Sequence, residues 1–291
     1  MVTFLQLLVR SLETSSIYAL AAMGIILIFR TSRILNFAQG TIGMFCTYIA
    51  TFLFWSWGFP VYLAAAGAIV AALLLGALID VVALRHADGL SPISKQIVSL
   101  GILMILLGIT PILFGIELLS FPRFIPQGSI EMGGVSLSYN GLLNIMIGLV
   151  VAVALFFMLQ KSKLGLAIRT TASNEQIAQM LGVPIKNVTM FSWAAAGALG
   201  CMAGIMIVPS TTVTLTLMDS VHVFALMACV LGGFQTFHGP VIAAYIIGIT
   251  RNILLFYVSS VWGEQILFLM IFAFVAIRPH GLVGRATVKK V

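Results

Sequence analysis

PVYLAAAGAIVAALLLGALIDVVAL (Pro60–Leu84) holds one charged residue, Asp80, in an otherwise aliphatic and small-residue block. Its apolar residues fall on every side of a 3.6-residue repeat, so as a helix it has no face that prefers water. A bilayer hydrocarbon core about 30 Å thick takes roughly 20 such residues per helix, and this block supplies them. A water-filled β-barrel would instead show shorter, alternating strands.

The same texture recurs along the chain. It predicts spans over Ser11–Phe29, Ile34–Trp57, Pro60–Leu84, Ile97–Phe114, Gly141–Leu159, Val188–Val208, Val221–Phe234, Pro240–Tyr257 and Trp262–Ile277. With 291 residues, 61% hydrophobic and 8% charged, the polar side chains are too few to cover a soluble domain of this size. The expected fold is therefore all-α, a polytopic transmembrane bundle of eight or nine spans forming a single domain over 1–291. Span seven is short and flanked by Gly232-Gly233, and both a full crossing and a broken or re-entrant helix remain open for it.

The net charge of +7 does not point to nucleic acid, because the basic residues sit between spans and form no stripe. With the N-terminus outside, one side collects Arg30, Arg33, Arg85, Lys95, Lys161, Lys163, Arg169, Lys186, Arg278, Arg285, Lys289 and Lys290, twelve of the 15 Lys and Arg. Arg10 and Arg123 fall on the other side, and Arg251 lies within span eight. Lys and Arg near span ends mark the cytoplasmic face, so the expected topology is N-terminus out, C-terminus in. No cleavable secretory signal is expected, since the first segment runs straight into further spans. Cys46, Cys201 and Cys229 lie in apolar segments, an odd number without metal-like pairing, and read as small buried side chains.

Two connections are long enough for structure of their own. Glu117–Tyr139 carries Pro122, Pro126 and SIEMGGVSLS, a β-hairpin turning at Met132-Gly133-Gly134. It reads either as a docking surface for an external partner or as a lid tying two helices together. Residues 160–187 form a cytoplasmic loop in which Ser173-Asn174-Glu175-Gln176 has a capping-box pattern, with Ser173 as cap and Gln176 reaching back. Ile177, Ala178 and Leu181 are expected on one face of the short helix that follows, with Gly182 and Pro184 ending it. Lys163, Arg169 and Lys186 hold this segment in water, so its apolar side is covered by the protein's own helix ends, the bilayer surface or a partner subunit.

Enzymatic chemistry is missing. There is no G-x-x-x-x-G-K-[ST] phosphate loop and no G-x-S-x-G elbow, and His86, His222, His238 and His280 are scattered. No catalytic residue, metal site or cofactor is expected. Ion coupling usually needs an ionisable group deep in the bilayer; only Arg251 is central to a span, and a structural pairing is the favoured reading for it. ILNFAQGTIGMFCTY (Ile34–Tyr48) contains the candidate translocation-path residues Asn36, Phe37, Gln39 and Gly40, joined by Gly232 and Gly233. Packing through small residues, with amides capping a helix start, competes here with a discontinuous helix lining a solute path.

Four blocks together resemble one family. LNFAQG (Leu35–Gly40), KLGLAIRTTASNEQIAQMLGVPIKNV (Lys163–Val188), VLGGFQTFHGPVIAAYIIGI (Val230–Ile249) and RPHGLVGR (Arg278–Arg285) are similar, in order, to motifs of the permeases of branched-chain amino acid (Liv-type) ABC importers, in particular the H-type membrane subunit. Urea and short-amide permeases are relatives of that family. The resemblance implies a second homologous permease, two ATPase subunits docked on the cytoplasmic side and a periplasmic solute-binding protein, in the bacterial inner membrane. It also implies that Gly165, Ala167, Arg169, Ser173, Glu175, Ile177, Ala178 and Gly182 belong to a loop that couples to the ATPases. Departures from the family pattern are Gln39 for the usual histidine, Thr41 for an acidic residue, Phe234 and Thr236 in a Gly/Ser-rich turn, and Arg251 in an often acidic region. They leave the solute open between amino acids and urea or short amides. A stand-alone secondary transporter or channel is the rival reading from the residues alone.

Overall fold

A computed structural model of the chain describes residues 2–87, 91–115, 117, 119–125, 128–132 and 134–284. Pro126, Gly133, Arg285, Lys289 and Lys290, all used in the sequence reading, lie outside the described residues.

Helix α1 (Val2–Ser32) is the axis of the bundle. Every residue from Ser15 to Ile28 is buried, and α5 (Tyr139–Lys161), α8 (Ile185–Ile207), α9 (Asp219–Gly232) and α10 (His238–Tyr257) pack around it. Its most apolar window is 78% buried, against 22% for α4 (Pro92–Phe114) and 17% for α5. All three carry long apolar runs, so the difference separates a core helix from helices whose outer faces meet lipid. Helices α2 (Gln39–Trp55), α3 (Val61–Ile79) and α11 (Gly263–Ile277) complete the nine apolar helices of the described residues. Six of the nine are long and apolar enough to cross a membrane, while α9 and α11 are shorter apolar helices and α2 has 17 residues. The chain is an all-α, multi-pass membrane protein.

Lipid tails give apolar helices no reason to leave them, so association inside a bilayer depends on close backbone approach and hydrogen bonds. Both are present. A Cβ on Gly43 of α2 would lie 2.6 Å from the Gly200 carbonyl of α8, and one on Gly197 of α8 would lie 2.6 Å from the Ala72 carbonyl of α3. Along α1 runs a polar seam: Ser16 Oγ shares a hydrogen bond with the Tyr245 hydroxyl (3.0 Å), and Asn252 Nδ2 donates to Ser11 Oγ (3.1 Å). Asn144 Nδ2 donates to Glu13 Oε1 (2.9 Å) and to the Met206 carbonyl (3.2 Å).

The hairpin forms as expected, β1 (Ser129–Met132) pairing antiparallel with β2 (Val135–Ser138). It lies on the N-terminal end of α1, where Ser136 N–H donates to Gln6 Oε1 and Gln6 Nε2 donates to the Ser136 carbonyl, each at 2.7 Å. Trp55 Nε1 and the Tyr62 hydroxyl donate to the Ser120 and Phe124 carbonyls nearby, and Trp55, Trp57 and Tyr62 are exposed, as in an interfacial aromatic belt.

Four spans differ most from expectation. Span one begins at Val2 rather than Ser11, nine residues earlier. Span two does not start at Ile34: Arg33 takes φ 56° and turns the chain back into the bundle, and α2 begins only at Gln39. Span three ends in a π-helical turn, Asp80–Leu84, whose buried Asp80 pairs with Arg85 (3.4 Å). Span four begins earlier than Ile97, at Pro92, because Ser91 Oγ accepts from Ser94 N–H and caps it.

Candidate functional site

Two places gather the residues singled out by sequence. The first is at the basic end of the bundle, where Arg33 donates to the Ala172 carbonyl and Arg85 Nη2 to the Lys186 carbonyl (3.3 Å). Residues 160–187 fold here into two helices rather than one, α6 (Lys163–Ser173) and α7 (Glu175–Met180).

α6 is amphipathic, and its inner face is fixed to the bundle. Ile168 is buried in a small core with Leu27, Leu159 and Val188, separate from the main one. Gly165 lies directly on the last carbonyls of α5, Met158 and Leu159, where no side chain fits. Arg169 closes the same junction, its Nη1 donating to Gln160 Oε1 (3.1 Å) and its Nη2 to the Gln160 carbonyl (3.2 Å). Cations at a helix C-terminus satisfy carbonyls that have no partner within the helix.

The capping-box expectation is corrected. Ser173 is the last residue of α6, and Asn174 occupies the N-cap of α7, its Oδ1 accepting from Ile177 N–H at 3.1 Å. The cause is that α6 runs up to Ser173, leaving Asn174 (φ −153°, ψ 114°) as the extended residue at which α7 starts. At the other end Gly182 N–H donates to the Gln179 carbonyl and Val183 N–H to the Ala178 carbonyl, both at 3.0 Å, with Gly182 at φ 79°. This is a Schellman closure, whose left-handed residue favours glycine.

The expected shared face of Ile177, Ala178 and Leu181 is also corrected. Ala178 alone turns inward and is buried, whereas Ile177, Met180 and Leu181 are 53%, 85% and 70% exposed. Positions i, i+3 and i+4 share a helix face, so these three form one apolar patch at the basic end. Met180 was missed in the sequence, although its spacing from Ile177 is the signal that finds it. Glu175 lies on the first turn of α7, beside a polar cavity that Arg85, Lys95 and Lys186 also line.

The second place is the start of α2. Asn36 Oδ1 accepts from Ala38 N–H (3.0 Å), Asn36 Nδ2 donates to Gln39 Oε1 (3.2 Å), and Gln39 Nε2 donates to the Ala196 carbonyl of α8 (2.6 Å). Both side chains are buried, and Gln39 Nε2 lies between Gly24 of α1 and Gly200 of α8. Gly24 is eight residues from the end of α1, which places the start of α2 about 12 Å inside the bundle at 1.5 Å per residue. α9 starts beside it: a Cβ on Gly40 would lie 2.9 Å from His222 Cβ and 3.4 Å from the Met218 carbonyl. Two helix N-termini thus meet at membrane depth, with Phe37 half-buried and Asp219 and Ser220 exposed next to them. His222 carried no signal in the sequence, since nothing local links it to Gly40.

Gly232 and Gly233 are not part of this meeting point. They lie at the far end of α9, Gly232 against Gly239 and Pro240, Gly233 (φ 88°) against the His280 carbonyl. Leu282 N–H donates to the Leu231 carbonyl (2.8 Å), so these glycines seat the segment after α11. Arg251 is paired, as the sequence favoured: its guanidinium holds Glu264 of α11, Nε to Oε1 at 3.0 Å, and lies 4.9 Å from the Phe224 ring centroid.

A family model described as branched-chain amino acid transport system, permease component, matches residues 7–276. The "probable branched-chain amino acid transport permease protein LivH" of Methanocaldococcus jannaschii is 29% identical, covering 93% of this chain and 89% of that one. The high-affinity branched-chain amino acid transport system permease protein BraD of Pseudomonas aeruginosa is 26% identical, and LivH of Escherichia coli 25%, each alignment covering 99% of this chain and 98% of the relative. No solved structure matches the chain.

Proposed function

The chain belongs to the family of branched-chain amino acid transport system permease components, and from that premise we propose that it carries branched-chain amino acids inward as the membrane half of an ABC importer. It is a transport subunit and not an enzyme; ATP hydrolysis belongs to separate ATPase chains, and a solute-binding protein delivers the cargo. The full proposed assembly is two homologous permeases, two ATPases and one periplasmic binding protein in the inner membrane of the cell.

The observation that carries this reading is the α7 patch. A helix of six residues that presents Ile177, Met180 and Leu181 outward at the basic end has its apolar face uncovered, and a groove on a partner chain is the site such a face fits. In this proposal the basic end is cytoplasmic, the N-terminus is outside, and residues 160–187 are the coupling loop. Asn174 and Gly182 hold α7 in shape. Gly165 and Arg169 fix α6 to the end of α5, and Ala167 and Ile168 pack into the small core that reaches α1. Motion of α7 then moves α5 and α1 rather than bending a loop. Ser173 and Glu175 flank the hinge between the two short helices.

The proposed path starts where α2 and α9 begin and follows α9 toward Gly232-Gly233. Backbone N–H groups at a helix start lack partners within the helix and favour anionic groups such as a carboxylate. Phe37 and the exposed Asp219 and Ser220 face the second permease, while Asn36 and Gln39 hold the start of α2 in place and Gly40 seats it against His222 of α9. The test is leucine uptake into proteoliposomes by the assembled complex, with Ser220→Trp, at an exposed position beside the start of α2, blocking the path. Uptake at the wild-type rate in that variant overturns the path assignment.

A further inference from the structure

Away from both places, a groove runs between α1, α5 and α10 on the outside of the bundle. It has a volume of about 260 Å³ and, among the described residues, is lined by apolar side chains, including Ile26, Phe156, Leu159 and Val241, with His238 the one polar residue on its wall. That volume is just below the range of about 300–1,000 Å³ typical of small-molecule sites. Val153 and Phe157, which also line it, are exposed, so the groove opens outward.

Its basic end is built differently from its walls. Arg30 lies with its guanidinium carbon 5.0 Å from the centroid of Phe237, a groove residue, and Arg30 Nε is buried without a hydrogen-bond partner among the described residues. Lys161 ends α5 two residues beyond Leu159. No acidic residue among the described residues lines the groove. An apolar slot open to the outside of an apolar helix bundle, with cations at one end and an unused donor, matches one chemistry: an acyl chain joined to an anionic phosphate.

We propose that the groove holds an acyl chain of an anionic phospholipid whose phosphate is bound by Arg30 and His238. A transported solute is a poor fit, because His238 is the one polar side chain on the described wall and a polar solute needs several such groups to orient it. A zwitterionic lipid presents its own cation to the same cationic rim and is disfavoured.

The test is native mass spectrometry on the full chain, purified in detergent with equal phosphatidylglycerol and phosphatidylcholine. Phosphatidylglycerol is expected to be retained at least about fivefold over phosphatidylcholine, the worth of one basic side chain near an anionic headgroup. Arg30→Gln is expected to remove that preference, and Val153→Trp, at an exposed position, to displace both lipids by filling the groove. If Arg30→Gln does not fold, the wild-type preference itself decides. Equal retention of the two lipids, retention undiminished in Val153→Trp, or displacement of phosphatidylglycerol by millimolar inorganic phosphate would overturn the proposal, the last showing a free-anion site.

Discussion

Met180→Ala separates a partner-binding surface from a structural one. Met180 is 85% exposed in the isolated chain, and its helix is held by the Asn174 cap, the buried Ala178 and the closure at Gly182. Removing an exposed side chain that touches none of these changes stability by no more than about 0.5 kcal/mol. Fully burying a methionine is worth about 1.5–3 kcal/mol. Since most of the side chain is free to be buried by a docked ATPase, its loss there costs about 1.5 kcal/mol, or roughly tenfold in affinity. The assay pairs the melting temperature of the purified permease with the Kd for its ATPase subunit, measured by biolayer interferometry in the same detergent. The expected result is an unchanged Tm with a Kd about tenfold weaker. A lowered Tm with an unchanged Kd would refute the reasoning, because Met180 would then pack within the permease and α7 would present no docking face.

Further outcomes follow from the same geometry. Asn174→Ala removes the α7 cap and should destabilise that helix by about 1 kcal/mol, lowering ATPase-stimulated transport, while Asn174→Asp retains function and Ser173→Ala changes little; hydrogen exchange across 174–182 reads the difference. Gln39→Ala leaves the Ala196 carbonyl and Asn36 Nδ2 without their partner between closely packed helices, costing about 1–3 kcal/mol and lowering Tm. Glu264→Gln breaks the pair with Arg251 and should cost about 1–2 kcal/mol, less than a fully buried pair because Glu264 is partly exposed; Arg251→Met combined with Glu264→Leu should recover most of the loss in Tm.

The membrane-spanning helices were legible because bilayer thickness and composition act locally: a run such as Pro60–Leu84 needs no tertiary information to be read as a span. The hairpin was legible for a similar reason, its turn being set by adjacent glycines. What was hidden depended on contacts between distant segments. Nothing near Ile34 says that the helix waits until Gln39, because that start is fixed by Ala196, Gly24 and Gly200 on two other helices. The cap moved from Ser173 to Asn174 because both residue types suit the position, and the length of α6 decided between them. The outward turn of Ile177 and Leu181 away from Ala178 followed from how α6 sits on α5. Arg251 was readable as a charge needing a partner, whereas Glu264, thirteen residues on, was not readable as that partner.

The account rests on a permease that moves solute only when separate ATPases drive it. Its most direct test is radiolabelled leucine uptake into proteoliposomes holding this chain, with and without its ATPase subunits, second permease, binding protein and internal ATP. The account predicts accumulation only in the complete, ATP-loaded vesicles and none with the chain alone. Steady uptake by the chain alone, or by the complex without ATP hydrolysis, would contradict it.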